Sequence, residues 1–376
     1  MANNSIKTIG HLPLIEYPWA CEIDRLLNSI KTNELSFRAF LFDVVMSMAY
    51  IDAAAGLEKS IEHCDNVIGD YNAHIGFINL CSPCYENGSW QYQTAVKPQS
   101  GALGKLSSEL ILKFVQYFSD NFESVVAIGG GNSADAMIVH KNGIKIFAEV
   151  KSAPLITYPL LIKINQIDNG AHHRRITITS SQLKTCDSAL YLHDKNFIPL
   201  GKIGTENWPF KPFVDYMIDD KNTISVEKFY QTWLSARESY ISKNRSNRIY
   251  SLTNACGGPP KEAKTNHGWP AKQVISDSKT SAGMDRTDDI KKGIYQTLKI
   301  GIAHKDQKNY KTAIISNLPA YRHNEDYVLP FIPLLWGLEK DLKKFDDKQV
   351  IFREDLHYAF DYIITLENPI LRELVV

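Results

Sequence analysis

Two β-rich runs, Ala134 to Val139 and Ile144 to Lys151, flank the turn residues Lys141-Asn142-Gly143. Asn-Gly between apolar runs is the strongest short-range hairpin signal a sequence offers, because both residues tolerate the positive φ angles of a tight turn. The two runs are therefore expected to pair as antiparallel neighbours. Much of the remaining architecture must accommodate that pair.

Side chains alternate across a strand, so Glu149 and Lys151 point to the same face, and Asp135 meets them if the register matches. Two carboxylates beside an ammonium form a candidate catalytic group. Asp135 and Glu149 are the candidate metal ligands, since Mg²⁺ binds through one or two carboxylates plus substrate phosphate. Lys151 would orient or help deprotonate an attacking water and offset phosphate charge in the transition state. The competing reading is an exposed cross-strand ion-pair face.

An Asp, a short hairpin and then Glu149-Val150-Lys151 resembles the signature of the PD-(D/E)XK nucleases, most familiar from type II restriction endonucleases. Ala134 stands where that signature usually has a proline. The resemblance covers Gly104 to Ala153 and, more loosely, Val274 to Asn317. It implies an α/β fold with a restriction-endonuclease-like mixed central sheet flanked by helices. It further implies Mg²⁺ as cofactor, double-stranded DNA as partner, and a homodimer whose two-fold axis matches that of a palindromic site. A sequence-specific nuclease would also require host protection, for which a companion DNA methyltransferase is the candidate. A repair or recombination nuclease of the same fold, or a non-catalytic DNA-binding protein, are the alternative readings.

Apolar residues at 106, 110, 111, 114, 115 and 118 recur at helical spacing, predicting a helix over Gly104 to Phe118 before the catalytic hairpin. Family members often carry an extra acidic residue there that reaches the metal, which makes Glu109 a further catalytic candidate. Its other reading is a favourable charge in the first helical turn. Gly129-Gly130-Gly131 is either a close approach to phosphate or a plain turn. Later, a short strand at Val274 to Lys279, a helix over Asp285 to Lys299 and a buried strand over Tyr310 to Asn317 resemble the second half of the nuclease core. Asp277-Ser278-Lys279 is a second match to the signature, but no carboxylate-bearing strand directly precedes it. Lys279 and Arg286 are therefore candidate phosphate contacts, with a surface or structural role equally open.

The chain between those halves reads as an insertion for target recognition, because phosphate chemistry is common to all sequences while base edges need dedicated side chains. Thr177 to Thr179 and Ala189 to Leu200 suggest strands. Val226 to Ser242 reads as an amphipathic helix whose Phe229, Trp233 and Tyr240 pack inward. Two loops carry the candidate DNA contacts: His172, His173, Arg174 and Arg175 in one, and Arg245, Arg248, Lys261 and Lys264 in the other. The expected division is a helical and mixed region over 1–103, the first half of the core over 104–155, the insertion over 156–272, and the second half with a C-terminal helical region over 273–376.

With 376 residues and 44% hydrophobic side chains the chain can bury a sizeable core. Its 42 basic and 42 acidic residues cancel, which excludes a general coat for polyanions but leaves local DNA-binding surfaces open. No stretch approaches the ~20 continuous apolar residues of a membrane span, and the first residues lack an apolar signal-peptide core. A cytoplasmic location is the expectation. The 6 cysteines do not suggest a disulfide scaffold. Cys81 and Cys84 have metal-ligand spacing, with His63 and Cys64 upstream as possible partners for zinc; ordinary packed cysteines are the favoured reading.

Overall fold

A computed structural model describes residues 16–30, 34–55, 59–68, 70–86, 88, 92, 95–96, 100–128, 134–164, 175–258, 275, 281–307 and 309–367. Along the chain, helices α1 (Ala20–Ser29) and α2 (Leu35–Ala55) precede strands β1 (Lys59–Ile68) and β2 (Tyr71–Ile75) and the short α3 (Ser82–Glu86). Helix α4 (Ser100–Phe118) leads into β3 (Phe122–Ala127), β4 (Ala136–His140) and β5 (Lys145–Val150). Next come β6 (Leu160–Ile162), β7 (Arg175–Ile178), α5 (Ser180–Leu183), β8 (Asp187–His193), β9 (Asn196–Lys202), α6 (Phe210–Ile218) and α7 (Thr223–Ile241). Helix α8 (Thr287–His304) and β10 (Tyr310–Ser316) follow. The described chain ends with α9 (Asn324–Tyr327), β11 (Leu335–Trp336), β12 (Lys343–Phe345), β13 (Lys348–Val350), β14 (His357–Tyr358) and β15 (Tyr362–Thr365).

These elements form two compact units, and each draws on separate stretches of chain. The first comprises 1–13, 108–153 and 283–376; the second comprises 14–107 and 154–282. The described chain passes from one unit to the other after Ser107, after Ala153 and after Ala282. The N-terminal helices and the expected insertion, read separately from sequence, build one unit together.

The first unit is organised by a mixed five-stranded sheet in the order β15-β10-β5-β4-β3. The Asn142-Gly143 turn joins β4 to β5 as an antiparallel pair, with Ala136 opposite Ala148. Gly143 has φ +84, and the Asn142 side chain accepts a 3.0 Å hydrogen bond from the Ile144 N–H, the local bond that fits Asn to such turns. Strand β10 lies parallel to β5 on its other side, with Ile314 beside Glu149. This makes β5 the central strand, buried from Ile146 to Val150. Helix α8 covers one face: a β-carbon on Gly293 would lie 3.4 Å from Ile314, and His304 stacks on Phe147 at 4.7 Å. Ile290, Ile294 and Ile314 share a core with Met284, Phe360 and Ile363.

The C-terminal part differs from the expected helical region. After β10 the described chain folds into short 3₁₀ turns, the single-turn α9, and the antiparallel pairs β11–β14 and β12–β13. Pro319, Pro330 and Pro333 punctuate this tract and deny it a long helix. Asp346 and Asp347, with φ of 51 and 59, close the β12–β13 hairpin in the conformation a tight two-residue turn requires.

In the second unit α2 is apolar around most of its circumference and is buried from Ala39 to Ile51, as expected of a helix at the centre of a fold. Phe40 meets Trp233 of α7 at 6.3 Å, so the aromatic stripe of α7 packs as the sequence suggests. A six-stranded sheet in the order β7-β1-β2-β6-β8-β9 completes the unit. Within the expected helical and mixed region, α2 ends at Ala55 and β1 begins at Lys59.

Candidate active site

The β4–β5 pairing, with Ala136 opposite Ala148, places Asp135, just before β4, across from Glu149 near the end of β5. Asp135 is fixed there by backbone on both sides. Its N–H donates to the Ala148 carbonyl at 3.0 Å and its carbonyl accepts from Ile128 at 2.8 Å. Its side chain accepts a third bond, from the Val150 N–H to Oδ2 at 2.9 Å. Lys151 Nζ lies 2.5 Å from Glu149 Oε1 and 3.8 Å from Asp135 Oδ2, and donates to the Val150 carbonyl at 3.1 Å. The structure therefore brings together Asp135, Glu149 and Lys151, the three residues that the alternation of β4 and β5 selects.

The two carboxylates are not equivalent. The Asp135 side chain is 43% exposed and that of Glu149 only 9%. Burial pushes the Glu149 carboxyl up to about 7, and the nearby Asp135 charge pushes in the same direction against the opposing pull of Lys151. Two like charges sharing one small space are costly to ionise together. A divalent cation removes that cost, so the donor set, one exposed and one buried carboxylate with one ammonium beside them, fits Mg²⁺ chemistry.

Glu109 sits half-buried in α4. Because that helix begins at Ser100 rather than Gly104, Glu109 lies in the helix middle, and the reading of a first-turn charge is corrected. Arg286 precedes α8 and pairs with Asp289 at 3.0 Å, a contact across the first helical turn. Arg245 and Arg248 are exposed on the segment after α7, in the second unit. Arg175 opens β7 opposite Glu62, but its side chain is outside the described residues. His172, His173, Arg174, Lys261, Lys264, Asp277 and Lys279 are outside them as well, as are Gly129 to Gly131.

Cys81 and Cys84 are buried and share one small cluster, and neither forms a disulfide among the described residues. The side chains of His63 and Cys64 are outside the described residues. Among the described residues, no group of three or more His, Cys, Asp and Glu side chains is arranged to hold a metal. No described helix is long and apolar enough to cross a membrane.

The sequence reading missed what supports the site. Asn317, buried just beyond β10, accepts from the Ala153 N–H at 3.0 Å and donates back to the Ala153 carbonyl at 2.9 Å. The Gly283 N–H donates to that same carbonyl at 2.9 Å. The chain two residues past Lys151 is thereby held by three bonds. Gly283 has φ +52 and no room for a side chain, since a β-carbon would fall 2.6 Å from the Leu318 carbonyl oxygen. A polar residue ending the buried run Tyr310 to Ser316 was the available signal for Asn317. In the second unit, Glu86 binds His193 Nδ1 at 2.7 Å and accepts from Tyr191 OH, tying α3 to the β8–β9 hairpin.

Comparison with protein-family models, curated proteins and solved structures finds no match to this chain.

Proposed function

We propose that this chain is a Mg²⁺-dependent endonuclease that hydrolyses phosphodiester bonds of double-stranded DNA at specific sequences, in the manner of type II restriction enzymes. The observation that carries this reading is the convergence of Asp135, Glu149 and Lys151 at one end of a mixed sheet. The helix before the hairpin, from Ser108 onward, and the later α8–β10 succession, both implied by the family resemblance, contribute to the same unit and support the reading further.

Asp135 and Glu149 would hold the cation. Bound there, Mg²⁺ supplies Lewis acidity toward a phosphate oxygen and makes a coordinated water easier to deprotonate. The protein's own residues supply position and charge. The Val150 N–H fixes Asp135 Oδ2, so the carboxylate is aimed before any ligand arrives. Lys151 brings a positive charge to the place where phosphate charge grows in the transition state, and its ammonium can orient the attacking water. Exposed Arg245 and Arg248 belong to the stretch proposed to read DNA, and a homodimer is the assembly that a palindromic site would select.

The test is digestion of unmodified phage and plasmid DNA in Mg²⁺, beside EDTA and Glu149→Ala controls, with sequencing of the product ends. Discrete fragments sharing one sequence, absent from both controls, establish the proposal. Random or structure-dependent cuts assign a repair nuclease instead. Intact DNA binding without cleavage assigns a non-catalytic binding protein.

A further inference from the structure

Lys151 is anchored in the present state by Glu149 and by the Val150 carbonyl. If Glu149 becomes a metal ligand, its oxygens turn to the cation and the ammonium loses its principal partner. An ammonium that must point at a phosphate then needs a new acceptor.

The sheet register supplies one. Ile314 lies beside Glu149 and Ile315 beside Val150, and the Lys151 N–H donates to the Ile315 carbonyl at 2.8 Å. The next position on β10 is Ser316, which is therefore the neighbour of Lys151. Paired residues of adjacent strands project to the same face, with the strands about 4.8 Å apart. Ser316 thus shares the face that carries Glu149 and Lys151. It is fully buried, and its hydroxyl oxygen has no hydrogen-bond partner among the described residues. Buried hydroxyls are nearly always satisfied, so one left open beside a titratable cluster has unused acceptor capacity where an ammonium needs it.

We propose that Ser316 is a positioning residue that accepts a hydrogen bond from the Lys151 ammonium once a divalent cation engages Glu149, an inference that rests on the metal-site reading above. No covalent step is involved. One acceptor replaces another, and Lys151 stays aimed while Glu149 changes partner.

Side-chain ¹⁵N NMR of lysine-labelled full-length protein tests this, because a held ammonium exchanges its protons slowly enough to be observed. The Lys151 signal is assigned by its loss in Lys151→Ala. In the unaltered protein the signal is expected both in EDTA and in saturating Mg²⁺. In Ser316→Ala it is expected in EDTA but lost in Mg²⁺, and Ser316→Thr restores it. The alanine variant removes a hydroxyl with no partner among the described residues, so its fold is expected to survive, which an unchanged melting temperature verifies. A full-strength Lys151 signal in Mg²⁺-saturated Ser316→Ala overturns the proposal alone. Absence of Mg²⁺ binding to the unaltered protein by calorimetry overturns the metal-site reading and this proposal with it.

Discussion

The Val150 N–H donates a 2.9 Å hydrogen bond to Asp135 Oδ2, so one carboxylate of the candidate site is held by the backbone between the other two members. Asp135 cannot swing away from Glu149 without breaking that bond. Its position is a property of the hairpin, settled before substrate or metal is present.

Replacing Asp135 separates charge from scaffold. Asp135→Asn keeps an oxygen that can accept from Val150, whereas Asp135→Ala leaves that N–H without its partner, a cost of about 1–3 kcal/mol where the group stays desolvated. Chemical denaturation should show the alanine variant clearly less stable than the asparagine variant. Calorimetry should show both without measurable Mg²⁺ binding. Wild-type Mg²⁺ affinity in Asp135→Asn would remove this residue from the metal site.

The Glu149 carboxyl, raised from 4.5 to about 7 in the fold, links stability to pH. The folded chain holds this proton more tightly than the unfolded chain does, so the resulting stability is fully present below pH 4.5 and is lost as pH rises through 7. The loss is of order 1–3 kcal/mol. Mg²⁺ stands in for the proton, and its stabilising effect should be larger at pH 8 than at pH 6. Thermal melts with and without Mg²⁺ at the two values check this. Equal Mg²⁺ shifts at both would contradict it, and Glu149→Gln should flatten the pH dependence.

The candidate site was legible in sequence because it is local. Asn142-Gly143 fixes the hairpin, strand alternation selects Glu149 and Lys151, and Asp135 falls opposite without any distant partner. Strand β10 was also legible, from the apolar residues Ala313, Ile314 and Ile315 within a β-rich stretch. What escaped depends on pairing across long separations. The six-stranded sheet joins strands from 59–75 with strands from 160–202, and no local pattern announces that partnership. Asn317 could be noticed as a polar residue closing an apolar run, but its partner Ala153 lies 164 positions away.

Asn317 offers a test of support without contact. Asn317→Ala deletes both of its bonds to Ala153. Because Gly283 also donates to the Ala153 carbonyl, the group left orphaned is chiefly the Ala153 N–H, a cost of about 1–3 kcal/mol. The chain just beyond Lys151 gains freedom, so metal-dependent cleavage should fall further than this loss of stability explains. The decline should appear in kcat rather than in DNA affinity. Unchanged kcat at temperatures where the variant is folded would show that the clamp serves stability alone.

The second unit has its own buried hub in Asp43. Its Oδ2 accepts from the Leu155 and Ile156 N–H groups, each at 3.0 Å, and from Trp233 Nε1 at 2.8 Å. Helix α2, the segment of Leu155 and Ile156 that follows β5, and helix α7 are thereby joined through one oxygen. Asp43→Ala leaves three buried donors without their acceptor and should cost about 3–5 kcal/mol, the range for breaking a buried charged network by removing one partner. Asp43→Asn retains an acceptor of similar shape without the charge and should cost roughly half as much, because hydrogen bonds to charged groups are about twice as strong as neutral ones. Trp233 lies against the deleted group and its fluorescence reports the transition directly. If the two variants unfold at the same denaturant concentration, the charge of Asp43 contributes nothing beyond its shape, and the hub is held by packing around α2.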